Sequence, residues 1–313
     1  MAIFEVESGI FGIDLYEEGR RYRSSAYVIL DDEGPVLVDP GSARSHGRLV
    51  AGLQEVGLDP QDLRHVVATH AHLDHAGGAG QLMARATGAT LHCHPRAAAH
   101  LIDPGRLQQG ARAVYGDALE DLFGPLLPIP AQRVVTPGDG ESLVLHGRAL
   151  TFYDAPGHAK HHLAVVDSLT RGLFSGDAVG IRYHPQYTGW DFWYGFPTCS
   201  PSEFDPEVML TTLDRLESLE LAAVYHTHFG VTRPAAEAFA FTRRGVQRII
   251  KSLSEIGDTL ELAHVDRILR RTMVQDLLGE GHVVDNLRPL AVDLMLNSQG
   301  ILVYLQKRAA GKL

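Results

Sequence analysis

Thr69-His70-Ala71-His72-Leu73-Asp74-His75 places four side chains able to ligate a metal within six positions. Just before it, HVVATH (65–70) is rich in β-branched residues and reads as a strand; just after it comes the Gly77-Gly78 turn. In extended chain, residues two apart project to the same side, so the imidazoles of His70 and His72 can approach one cation. Where the chain then turns, Asp74 and His75 can face a second cation, the arrangement of a two-metal site. Imidazole and carboxylate donors suit zinc, with iron or manganese as alternatives, and no cysteine lies nearby to favour a softer ion.

Three later positions have the same character. His158 stands in DAPGHAKHH (154–162), Asp177 in LFSGDAVG (173–180) and His228 in VYHTHFG (224–230), each beside turn residues. Side chains at strand ends along one edge of a layered structure can converge on a common centre, whereas mid-strand side chains enter the core. A lone histidine is more often an ordinary core or surface residue than a ligand. Most of the remaining histidines, among them His65, His92 and His100, are read that way. His161 and His162 stay open between lining the pocket of His158 and lying on the surface.

Outward from this stretch, SAYVIL (25–30) and PVLVDPG (35–41) form an expected hairpin across Asp31-Asp32-Glu33-Gly34. Leu49, Val50, Leu53 and Val56 recur at helical spacing. Short apolar strands follow near 132–135, 150–154, 163–167 and 171–175, then a helix near 205–218 and a strand at 222–226. Two β-rich halves, each with its own helices, suggest a layered α/β sandwich. After Gly230 the pattern turns helical: Val246, Ile249, Ile250, Leu253 and Ile256 share a face, and Leu287, Leu290, Leu294, Leu302 and Leu305 make a looser stripe. The expected organisation is one unit over 1–230 with a helical extension over 231–313 packed on it; a small wing-like strand in the tail stays open.

Composition excludes several classes. With 313 residues, 45% of them hydrophobic, the chain can bury a sizeable core. A formal charge of −10 repels a phosphate backbone, so no nucleic-acid partner is expected. The longest apolar runs, such as GILVYL (300–305), fall well short of the ~20 residues of a membrane span. The opening MAIFEVESG has no secretion-signal pattern, and Cys93 and Cys199 have no CxxC spacing; a cytoplasmic protein without disulfides is expected.

Together, HxHxDH at 70–75, PGH at 156–158, SGD at 175–177 and HFG at 228–230 resemble the metallo-β-lactamase superfamily, over roughly residues 20–230. The resemblance implies an αββα sandwich with a dinuclear site at one edge, holding two divalent metal ions per chain, zinc first. By motif position it implies His70, His72 and His158 around one metal, Asp74, His75 and His228 around the other, and Asp177 bridging. His228 is preferred because Phe229-Gly230 follow it as in the family's last ligand motif, with His226 as the alternative. Asp39 in VLVDPG resembles the family's supporting aspartate, which would hold the second N–H of a ligand imidazole.

The implied reaction is hydrolysis by a metal-bridging hydroxide, since coordination lowers the pKa of water from ~15.7 to ~7. Asp74 is the expected catalytic carboxylate, holding the nucleophile and passing a proton to the leaving group. Residues 183–204 contain 8 of the 23 aromatic residues and are expected to fold over the metal edge as an apolar substrate wall. A core-plugging loop and a subunit contact are the alternatives for this segment. One of its tyrosines, Tyr183, Tyr187 or Tyr194, is expected to donate to the tetrahedral intermediate, with Tyr194 as the catalytic candidate. A second insertion, near 102–131 with Tyr115 and Phe123, is expected to complete the pocket or a homodimer face. An apolar wall points to small-molecule esters: lactones, or carboxylic or phosphate esters. The alternatives are a glyoxalase II-like thioesterase, for which only Lys160 and Arg182 lie near the later motifs to meet glutathione, and a mononuclear iron persulfide dioxygenase, whose branch also keeps HxHxDH.

Overall fold

In the computed structural model, which describes residues 3–7, 9–257 and 259–313, seven strands form one sheet in chain order. They are β1 (Ile3–Glu7), β2 (Ile10–Asp14), β3 (Ser25–Ile29), β4 (Val36–Val38), β5 (His65–Ala68), β6 (Thr90–Cys93) and β7 (Val134–Val135). The expected hairpin is β3 with β4, Tyr27 opposite Val38, and β1 and β2 add two antiparallel strands beyond those expected. From β4 to β7 the strands run parallel, so each connection crosses over and carries helices. These are α1 (His46–Glu55), α2 (Leu73–Ala76), α3 (Ala79–Arg85), α4 (Pro95–Ile102), α5 (Gly105–Tyr115) and α6 (Leu119–Phe123).

The second sheet begins with β8 (Ser142–Leu145), β9 (Arg148–Asp154), β10 (Leu163–Asp167) and β11 (Gly172–Gly176). The chain then detours through a two-stranded ribbon, β12 (Ile181–Tyr183) and β13 (Tyr194–Phe196), with the short α7 (Pro185–Thr188) between them. After α8 (Pro206–Glu217), β14 (Ala223–His226) and β15 (Gly230–Thr232) complete the sheet in the order β15-β14-β11-β10-β9-β8. Three helices follow: α9 (Ala235–Ile256), α10 (Leu262–Gly279) and α11 (Ala291–Ala309).

Period-two alternation builds the layers. Tyr27, Val38 and Val67 of the first sheet meet Phe152, Val165, Phe174 and Tyr225 of the second in a shared core. Their neighbours Val28, Leu37 and Val66 point the other way, onto Leu49 and Leu53 of α1 and Leu82 of α3. On the far side, Ala164, Leu173 and Val224 meet Leu213 and Leu216 of α8 and Phe239 of α9. Helix, sheet, sheet and helix stack as the expected αββα sandwich.

The expected division at 230 falls inside β15, and Met1, Ala2, Ser8 and Asp258 lie outside the described residues. The first turns of α9 cover the second sheet, while its later residues Val246, Ile249 and Leu253 join Leu269 and Met273 of α10 and Leu294 and Ile301 of α11 in a separate core. No wing-like strand occurs among the described residues of the tail. Among the described residues no helix is long and apolar enough to cross a membrane.

The aromatic segment requires a correction. Tyr183, Tyr187, Tyr194, Phe196 and Phe204 are buried in this helical core, so these rings form a core plug and not an aromatic wall over the metal edge, which the segment reaches only through residues 198–203. Pairing of β12 with β13 sets Tyr183 opposite Tyr194 with parallel rings 6.1 Å apart, presenting a flat apolar surface that the three tail helices cover.

Candidate metal centre

Strand ends deliver the seven candidate ligands to one edge of the sandwich. β5 stops at Ala68 and the chain passes through His70 to α2, whose first turn starts at His72 and carries Asp74 and His75. His158 comes from the β9–β10 loop, Asp177 follows β11 and His228 follows β14. His70 Nε2 and His158 Nε2 each lie 2.9 Å from His72 Nδ1. His228 Nε2 lies 3.2 Å from His75 Nε2 and 3.1 Å from Asp74 Oδ2. Asp177 spans the two groups: Oδ2 is 3.4 Å from His158 Nε2, and Oδ1 is 3.4 Å from His75 Nε2 and 3.7 Å from His228 Nε2.

This donor set fits cations better than it fits itself. A neutral imidazole has one donor and one acceptor nitrogen, so three ring nitrogens aimed at one point cannot all be paired by sharing protons. Asp177 Oδ1 is buried without a hydrogen-bond partner, a costly state for a carboxylate oxygen unless positive charge faces it. His70, His72 and His158 could hold one ion, and Asp74, His75 and His228 a second, with one Asp177 oxygen turned toward each group.

The outer contacts aim the lone pairs. His158 Nδ1 donates to the Thr198 carbonyl at 3.1 Å and His228 Nδ1 to the Arg23 carbonyl at 3.0 Å, leaving each Nε2 free to face the centre. His75 Nδ1 donates to Asp39 Oδ2 at 2.9 Å, the supporting role expected for Asp39. The buried Asp39 carboxylate also accepts from Thr69 N at 2.8 Å, Thr69 Oγ1 at 2.9 Å and Thr227 Oγ1 at 2.8 Å, tying the loops after β4, β5 and β14 together. Gly176, at φ +48, lets β11 end against these loops: a Cβ there would stand 2.6 Å from both His162 Nε2 and Thr69 Oγ1. His162 Nε2 accepts from the Asp177 backbone N–H at 3.0 Å, so His162 fixes the loop that carries Asp177 and is not itself among the candidate ligand groups. His226 pairs with Thr232 Oγ1 at 2.9 Å inside the second sheet, which leaves His228 as the member of this pair that reaches the centre.

Electrostatics agree with that division. Burial, reinforced by neighbouring imidazoles, holds His70 and His72 well below the usual histidine range, so both are neutral with lone pairs available. Burial acts the same way on His75, yet Asp177, Asp74 and Asp39 outweigh it and favour positive charge at that point. Burial would raise the Asp74 carboxyl, but His75 and the His228 hydrogen bond bring it well below the usual carboxylate range.

A cleft of about 400 Å³ opens on this centre. Its lining includes Asp74, His158 and His228, the segment 198–203, Arg23, His161, one face of α5, and Asp293 and Leu296 of α11. Tyr194 is not part of it: the ring is buried against the tail helices and the hydroxyl donates to Asp276 Oδ2 at 3.0 Å, which corrects the expectation of a catalytic Tyr194. The tyrosine lining the cleft is Tyr115, from the 102–131 insertion. His100, read as ordinary, lines the cleft too, and His161 Nδ1 accepts from the Ala71 N–H at 3.3 Å beside the ligand loop. The helical recurrence of Leu107, Ala111 and Val114 is the sequence signal that a helix borders the site here. Arg23 connects the tail to the centre: its carbonyl holds His228, and its guanidinium grips Asp293 at 2.9 and 2.5 Å.

The model of the metallo-beta-lactamase superfamily matches residues 19–228, and the chain belongs to that superfamily. It is 26% identical over 214 residues to the metallo-beta-lactamase fold-containing protein ST1585 of Sulfurisphaera tokodaii, covering 67% of this chain and 74% of that one. The crystal structure of ST1585 superposes with a TM-score of 0.67 at 20% identity, over 94% of this chain and 98% of that one. An N-acyl homoserine lactonase of Bacillus cereus is 32% identical over 228 residues, 65% of this chain and 79% of the relative. Hydroxyacylglutathione hydrolase GloC of Haemophilus influenzae is 26% identical over 172 residues, 50% of this chain and 68% of the relative.

Proposed function

We propose that this protein is a metal-dependent hydrolase of small carboxylic esters, lactones foremost, working with two divalent cations, zinc first. The observation that carries this reading is the bridging position of Asp177 between two ligand groups at the floor of a largely apolar cleft. When bound, the cations supply Lewis acidity toward a carbonyl oxygen and a water-derived nucleophile at neutral pH. The chain's own residues do the rest. Asp74 lines the cleft with one oxygen on His228, placed to orient the nucleophile and to pass a proton to the departing alkoxide. Leu73, Leu107, Ile181 and Leu296 exclude water around the acyl side, which strengthens electrostatic effects at the reacting carbon.

Support for an ester over a glutathione thioester comes from charge. Arg23 is already paired with Asp293, and Asp74 and Glu203 add carboxylates to the same cleft against one further arginine, Arg106, a poor match for an anionic tripeptide. The likeness to the Bacillus cereus lactonase extends over more of this chain than the likeness to GloC. The test is a panel of lactone, aryl ester, aryl phosphate, glutathione thioester and persulfide substrates, each offered to protein reconstituted with zinc or iron. Lactone or ester turnover at least about ten-fold above the others in kcat/KM is expected. Preference for the glutathione thioester, or persulfide consumption with a single iron, would replace this reading.

A further inference from the structure

α5 is an unusual helix. It has eleven residues and none is buried, although its apolar side chains lie on one stripe. Leu107, Gly110, Ala111, Val114 and Tyr115 stand at i, i+3, i+4, i+7 and i+8, which places them on one helix face, and all five line the cleft. Leu107, Ala111 and Tyr115 pack against a small cluster of Leu73, Leu119 and Phe123, and Leu73 is the residue between the candidate ligands His72 and Asp74. The stripe therefore flanks the metal centre along the length of α5. Elsewhere the apolar cleft lining comes from Ile181 at the start of β12, Cys199, Pro201 and Leu296 of α11. A half-buried apolar groove beside the candidate centre is suited to a flexible hydrocarbon chain, which gains by burying successive methylenes.

Within the stripe Gly110 is the exception. It is exposed in mid-helix, where glycine weakens the helix relative to other residues, and a Cβ built on it meets nothing within 4 Å. Backbone strain does not require a glycine here, because its φ is helical; what the missing side chain leaves is open space in the groove. We propose that α5 is the wall that binds the acyl chain of the substrate and that Gly110 sets the chain length accepted, so that the preferred substrate carries a linear apolar acyl chain. This rests on the ester-hydrolase reading for its chemistry, while the groove itself is a binding site whether or not turnover follows.

Gly110→Leu tests it, since leucine fills the open space and favours the helix. Gln109→Leu, exposed on α5 and outside the cleft lining, is the control for helix propensity and added apolar surface. Two measurements are made on the metal-loaded full chain: kcat/KM across acyl lactones of graded chain length, and calorimetric binding of straight-chain carboxylates from butanoate to dodecanoate. In the wild type both are expected to strengthen with chain length. In Gly110→Leu the long-to-short ratio is expected to fall by at least about ten-fold in each, and in Gln109→Leu to match the wild type. Lactone turnover with the same length profile in Gly110→Leu and wild type would overturn the inference and leave the hydrolase reading standing. Length-dependent carboxylate binding that Gly110→Leu shortens, without turnover of any ester, would uphold the groove and remove the hydrolase reading. Carboxylate binding independent of length in the wild type would overturn the groove.

Discussion

Asp39→Asn changes one oxygen to an NH2 group in a carboxylate that never faces the cleft. Asp39 Oδ1 accepts only the Thr69 N–H, a bond that asparagine keeps. Asp39 Oδ2 accepts from Thr69 Oγ1, Thr227 Oγ1 and His75 Nδ1, and all three contacts meet the new NH2. The two hydroxyls can rotate and accept instead of donate. His75 cannot: its Nδ1–H would face N–H, so the ring must move its proton to Nε2 or lose the contact. Nε2 is the atom turned toward Asp74, Asp177 and His228, so a proton there removes the lone pair that a cation needs. Losing such a supporting contact typically weakens metal binding ~10- to 100-fold, or about 1.4 to 2.8 kcal/mol. Competition against a chromogenic chelator, with circular dichroism to confirm folding, reads this directly. A folded Asp39→Asn protein that holds both metals as tightly as wild type would refute the tautomer argument.

Two further outcomes follow from contacts away from the centre. Tyr194→Phe removes a hydroxyl bound to Asp276, which keeps Arg244 at 3.0 Å; a loss of about 1 kcal/mol in urea unfolding is expected. Its kcat/KM should stay within about two-fold of wild type, and a drop beyond ten-fold would return Tyr194 to the chemistry. The buried His92 ring, paired with His65 at 3.1 Å, is pushed by burial and by His65 down to about 4. A histidine pKa depressed on folding adds stability that is full above ~6.5 and lost as pH falls toward 4, by about 3 kcal/mol. Metal-free His92→Leu should therefore lose less stability than metal-free wild type between pH 7 and pH 4.5 in chelator-containing buffer; equal losses would contradict this.

The cluster of candidate ligands was legible because each member sits in a local pattern, a strand followed at once by a turn, and strand ends are where a sandwich exposes functional groups. The β3–β4 hairpin and the tail helices carried equally local signals in Tyr27 to Val38 and in Val246 to Ile256. The aromatic segment did not. Its composition says that residues 183–204 bury apolar area, but the surface they bury against belongs to helices 40 to 120 residues later, as in the contact of Tyr194 with Asp276 across 82 positions. Nothing local distinguishes a ring facing the metal edge from one facing α10. Gly110 was hidden for the opposite reason: a glycine in a helical stretch reads as a weak point, and only the cleft beside it gives its missing side chain a meaning.

Metal content per chain is the most direct measurement of the proposed two-cation centre. Protein reconstituted with excess zinc, freed of loosely held ions by gel filtration and assayed by plasma mass spectrometry, should carry two zinc ions per chain. Asp177→Ala, which removes the carboxylate turned toward both groups, should carry fewer. Wild type holding one ion or none after this treatment, or Asp177→Ala holding two as firmly, would contradict a centre bridged by Asp177.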